Sequence, residues 1–175
     1  MPARAASSRF VRERDHGYDA LLRRVFKLGH PQVVMGILEK DGAKTHKTES
    51  PGAEPVSIID VAGWFEFGFT VKLKDGSERE VPARSFIRAW WDEASPKLRR
   101  DLVVLMQSVV KGTRTKAQIL ELLGLEGQAG IQKFLADGKV TPDITEETKR
   151  RKGSSKPGIE TGQMRSAVSY EVREK

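Results

Sequence analysis

Cysteine is absent from this chain of 175 residues, and with it go disulfides, thiolate metal sites and cysteine nucleophiles. Histidine is nearly absent. His16, His30 and His46 show no i,i+4 pairing and no carboxylate at zinc-protease spacing, so no metal site is expected on them. No apolar run approaches the roughly 20 residues that cross a bilayer. The N-terminal arginines are not followed by the apolar stretch of about 7 to 15 residues that marks a secretory signal. Catalytic motifs are missing too. There is no Gly-x-x-x-x-Gly-Lys-Ser/Thr loop and no Gly-x-Ser-x-Gly elbow, and Gly153-Ser154-Ser155-Lys156 lacks the first glycine of a phosphate loop. Glu66, Asp92 and Glu93 are spaced as solvent-facing helix positions rather than as a metal-binding nuclease cluster. The expectation is a chain with no catalytic residues and no cofactor, not an enzyme.

What the chain has in quantity is positive charge. Lysine and arginine number 31 against 24 acidic residues, a net charge of +7 with an isoelectric point near 9.7, which favours polyanionic partners. The charge is clustered at Arg4 to Arg14, at Arg23-Arg24-Lys27, and at Lys149-Arg150-Arg151-Lys152 ahead of Gly153-Ser154-Ser155. With 38% apolar residues, 7% aromatics and 31% charged residues, one modest core and a large polar surface are expected.

Residues 1 to 14 read as a flexible basic arm, and 15 to 175 as one domain. Asp15 caps a helix striped by Leu21, Leu22, Val25, Phe26 and Leu28, and Gly29 with Pro31 ends it. Val33 to Leu38 is a buried strand closed by Lys40-Asp41-Gly42, and Ala43 to Pro55 is a loop. Ser57 then caps a short helix whose Ile58, Val61, Ala62 and Phe65 share one face, and Gly68 stops it as a left-handed cap. Phe69 to Leu73, Asp75-Gly76 and Glu78 to Val81 make a hairpin that Pro82 ends.

The spacing predicts a helix over about Ser85 to Glu93, with Phe86, Ala89 and Trp90 inward. Ser95-Pro96 then opens a second helix striped by Leu98, Leu102, Leu105 and Val109. Ala117 to Ala136 follows as another helix, weakened in its middle by Gly124, Gly127 and Gly130. A mobile loop over about 138 to 160 leads to a turn at Thr161-Gly162 and a final strand, Ala167 to Val172. The class is α+β: a small antiparallel or mixed sheet, joined by the last strand and packed against several helices.

Ile58-Ile59-Asp60-Val61-Ala62-Gly63-Trp64-Phe65-Glu66-Phe67-Gly68 runs on to Val81-Pro82-Ala83-Arg84-Ser85-Phe86-Ile87-Arg88, and the C-terminal part holds Thr161-Gly162-Gln163-Met164-Arg165. An apolar helix ending in Glu-Phe-Gly, a β-excursion, a Pro-x-Arg-x-Phe helix entry and Thr-Gly-Gln-Met-Arg before a strand, in that order, resembles the tail-completion or head-tail joining family of tailed bacteriophages. The resemblance spans residues 33 to 93 and 120 to 173. It implies a structural virion protein of the neck that forms a ring at the head-proximal end of the tail. Its partners would be further copies of itself and connector, tail-terminator or tail-tube proteins, with DNA in the lumen and no membrane.

On this resemblance Glu66, Phe67, Arg84, Phe86, Arg88, Thr161 and Arg165 belong to subunit or partner contacts, with Arg84 or Arg88 making an inter-subunit salt bridge. Trp91 joins them because adjacent Trp90 and Trp91 point to different sides of a helix. Lys149, Arg150, Arg151 and Lys152 face the DNA-filled lumen or an acidic connector surface. The chain departs from the pattern at Phe69-Thr70, where a shorter, more polar link is common, and in its basic residues 1 to 14. A nucleic-acid-binding accessory protein, a tail terminator and a connector adaptor are the alternatives.

Overall fold

The computed structural model describes Ala20 and residues 31–44, 56–73, 75–146, 149–150 and 162–173. The basic arm, the expected helix after Asp15, most of the 43–55 loop, residues 151–161 and with them Arg151, Lys152 and Thr161 lie outside the described residues. The described elements are β1 (Gln32–Ile37), α1 (Glu39–Gly42), α2 (Ile58–Phe67), β2 (Phe69–Lys72), β3 (Glu78–Val81), α3 (Ile87–Val110), α4 (Lys116–Ala136), α5 (Gln163–Ser166) and β4 (Val168–Arg173).

The class is α+β, but the strands form two antiparallel pairs, not one sheet. The last strand joins the first, with Val33 opposite Val172, Met35 opposite Tyr170 and Ile37 opposite Val168. This period of two puts three apolar pairs on one face, and α4 lies across it. The β2–β3 hairpin stays apart, with Phe69 opposite Val81 and Lys72 opposite Glu78.

The glycines of α4 are its packing face rather than its weak point. A Cβ on Gly124 would fall 2.1 Å from the Tyr170 ring, one on Gly127 2.2 Å from Met35 Sδ, and one on Gly130 2.6 Å from the Trp90 indole nitrogen. Spaced three apart they share one side of the helix, so the lost helix propensity is offset by close approach of two strands and α3. The start of α4 is secured by reciprocal bonds, Gln118 N–H to Thr115 Oγ1 and Thr115 N–H to Gln118 Oε1, a capping box.

The break expected at Ser95-Pro96 does not occur: α3 is one helix of 24 residues with Pro96 inside it. Trp90, Ala94 and Leu98 repeat every four residues and all pack into the core, so the apolar stripe runs straight past the proline. Pro96 and Asp92 are exposed, which leaves the carbonyl deprived of its N–H partner on the wet side, where solvent satisfies it. Of the expected second stripe, Leu98 and Val109 are buried, whereas Leu102 is exposed.

The core gathers Phe86, Trp90 and Leu98 from the start of α3, Ile131, Phe134 and Leu135 from the end of α4, and Met164 and Val168 near the C-terminus. Each fully buried large side chain contributes roughly 2 to 3 kcal/mol. Val140 and Ile144 are buried as well. They tie down the first part of a stretch that the sequence pointed to as a mobile loop.

Candidate assembly interface

α3 begins on Phe86 with no side chain capping it, so its first amide hydrogens need an acceptor from elsewhere. Glu66, at the end of α2, supplies it. Its Oε2 accepts from the Phe86 N–H at 2.8 Å and the Ile87 N–H at 3.1 Å. Its Oε1 accepts from Ser85 Oγ at 2.6 Å, the Arg88 N–H at 3.3 Å and Arg88 Nε at 3.0 Å. Arg88 Nη2 also donates to the Glu66 carbonyl at 3.2 Å.

With 5% exposure, Glu66 is not the solvent-facing or interface residue expected from the sequence. Burial pushes its pKa up, but the bonds from Ser85, Ile87, Phe86 and Arg88 outweigh this and hold it below the usual carboxylate value. A negative charge at a helix N-terminus is favoured in addition by the helix dipole. The signal available in the sequence was the missing cap ahead of Ile87.

The same contacts close the base of the β2–β3 hairpin, because Glu66 precedes it and Ser85 to Arg88 follow it. The Arg84 N–H adds a bond to the Phe65 carbonyl at 2.7 Å. Gly68 sits between with φ 77° and ψ 170°, a positive-φ turn rather than the left-handed helical cap expected. A Cβ there would lie 2.8 Å from both Ala83 N and the Val81 carbonyl oxygen, so only glycine lets the two chain segments approach this closely.

Phe86 is fully buried, its ring 6.1 Å from that of Phe65, and is a core residue instead of an interface residue. Both candidate salt-bridge arginines are engaged within the chain. Arg88 pairs with Glu66 and holds its guanidinium 5.1 Å from the centre of the Phe67 ring. Arg84 donates from Nε to the Pro142 carbonyl at 2.9 Å and from Nη2 to that of Asp143 at 3.4 Å, fastening the 141–143 turn to the start of α3.

Around this base the surface is aromatic. Phe67 is 70% exposed, Trp64 44% and Trp91 45%, and Phe69 and Leu73 are exposed too. The Trp64 and Phe69 rings lie 5.6 Å apart. Trp64, Phe69 and Leu73 were not among the candidate residues, though Trp64 falls off the Ile58, Val61, Ala62, Phe65 stripe and its outward direction was legible there. Arg165 is exposed on α5.

The cationic run is partly neutralised where it begins. Lys149 bonds Asp143 at 2.9 Å and Glu146 at 2.8 Å, and these two carboxylates raise its pKa; Arg150 is exposed. Among the described residues no group of His, Asp and Glu is placed to hold a metal ion, and no helix is long and apolar enough to cross a membrane. The chain matches no protein-family model, no curated protein and no solved structure.

Proposed function

We propose that this chain is a structural component of the neck of a tailed bacteriophage, a tail-completion protein that forms a ring at the head-proximal end of the tail and joins tail to head. Its mechanism is association, with copies of itself and with connector, terminator or tube proteins. The observation that carries the reading is the Glu66 cluster. Two of the segments on which the family resemblance rests, Glu66-Phe67-Gly68 and Pro82 to Arg88, meet in one hydrogen-bonded unit, so their order in the chain has one physical purpose. That unit presents Phe67, Trp64, Phe69 and Leu73 outward, and exposed aromatic clusters of this kind suit a protein partner.

The test is a stop codon at Trp64 in the parent phage or prophage, with the protein supplied in trans as control and the induced lysate viewed by electron microscopy. Full heads lying apart from finished tails are expected. Intact joined particles would discard the neck role.

One observation favours a second reading, nucleic-acid binding. Arg99, Arg100, Lys111 and Arg114 are exposed on the second half of α3 and the turn after it, where two acids, Asp101 and Glu126, are both bound by Lys97. If phosphate is their partner, affinity of the isolated protein for duplex DNA falls steeply with salt.

A further inference from the structure

Among the described residues the β2–β3 hairpin is bonded to the rest of the chain at its base, and no further strand joins it. A lone two-stranded sheet is marginal in water. Yet one of its faces carries Phe69, Val71 and Leu73, and among the described residues no strand pairs with either edge.

The phase of the ladder identifies the groups on those edges. The Leu73 N–H donates to the Ser77 carbonyl at 2.8 Å, and Val71 pairs with Arg79 and Phe69 with Val81. In an antiparallel ladder every second pair bonds across, so the peptide groups of Thr70 and Lys72 turn outward on one edge and those of Glu78 and Glu80 on the other. All four residues are exposed, and their side chains share the face opposite Phe69 and Val71. One edge is therefore cationic and the other acidic; within the hairpin Lys72 Nζ already lies 4.0 Å from a Glu78 carboxylate oxygen. Charge of one sign along an edge repels other strands, whereas opposite signs on two edges select a neighbour in one direction.

From this we infer that the occupant of each edge is a second copy of the chain, whose β2 lies antiparallel against this copy's β3, so that hairpins joined head to tail form a continuous sheet. Every such junction sets Glu78 and Glu80 beside the neighbour's Lys72 and, on the other face, Arg79 and Val81 beside the neighbour's Phe69 and Val71. The contact is heterologous, the kind that makes a ring wherever the rotation from copy to copy closes. The inference rests on the ring reading above and specifies which surface makes the ring.

Two charge-reversed full-length proteins test it, Lys72→Glu and the double variant Glu78→Lys with Glu80→Lys. All three positions are exposed, so thermal unfolding should stay near that of the parent. Sedimentation of each variant alone should show association weakened roughly tenfold, and an equimolar mixture should recover it, because each junction in the mixture again joins opposite charges.

Rings of the parent that neither reversal weakens, or a mixture no better than its parts, would overturn the hairpin contact and leave the ring standing. A parent chain that stays monomeric at every concentration overturns both. Since the chain has no cysteine, Thr70→Cys and Glu80→Cys proteins mixed under oxidation check the direction. A disulfide between the two is expected, and dimers formed by either one alone would overturn head-to-tail pairing.

Discussion

The two strand pairs of this molecule are built alike and held differently. β1 and β4 are bonded over six residues each and backed along their length by α4, with Met35 and Tyr170 seated over glycines. β2 and β3 are bonded over four residues each and, among the described residues, bonded to the rest of the chain where it enters and leaves them, by one carboxylate and one close-packed glycine. The first pair is stabilised by burial across a face, the second by polar groups at a point. A face resists through many weak contacts that fail separately; a point resists through a few strong bonds that fail together.

The most severe way to break the second arrangement is Glu66→Ala, which leaves the Phe86, Ile87 and Arg88 amides and the Ser85 hydroxyl without their acceptor. A loss of about 3 to 5 kcal/mol is expected in urea denaturation; a loss below about 1 kcal/mol would mean that water replaces the carboxylate and the base is not a clamp.

The first arrangement breaks at Gly124→Ala, where the new methyl meets a rigid ring, at an expected cost of about 1 to 3 kcal/mol. Gly127→Ala meets the flexible Met35 thioether and should cost less. Equal losses at the two positions would show that the strands shift as a body instead of yielding side chain by side chain.

Acidity sharpens the contrast further. Since the folded pKa of Glu66 lies below its ordinary 4.5, its contribution is complete above that pH and is lost as pH falls through the lower folded value. The stability gap between the parent and Glu66→Gln should therefore narrow progressively below pH 4.5. A gap independent of pH would place the stabilisation in packing, not charge. The smallest effect is expected on the hairpin. Phe69→Ala should cost no more than about 1 kcal/mol, and the amides of Thr70, Lys72, Glu78 and Glu80 should exchange with solvent hydrogen far faster than those amides of β1 that bond across to β4. Comparable protection in the isolated protein would show a partner for the hairpin within the chain.

What the sequence made legible followed from local pattern. The short β-branched run of Val33 to Leu38, the Ser57 cap with its N–H bond from Asp60 at 3.1 Å, the Asp75-Gly76 turn and the long helix before Ala136 all rest on neighbours within a few residues. What local pattern hides depends on distance. Glu66 reads as solvent-facing because a glutamate at a helix end normally sits there, and the helix start that recruits it comes 20 residues later. Ser95-Pro96 carried a local helix-start signal that the stripe of Trp90, Ala94 and Leu98 overrode. The glycines of α4 looked weak in isolation because the side chains that fill the space above them come from β1, α3 and β4.

The unbroken passage of α3 through Pro96 also has a mechanical meaning. Its 24 residues make a rod about 36 Å long, with the Glu66 cluster gripping its first turn and Gly112 beginning the turn beyond its last residue. Because Val109 is buried at its far end and Lys97 ties its middle to Glu126 of α4, the rod has no freedom to pivot on that grip, and a push on the hairpin would open the Glu66 base before it tilted the helix.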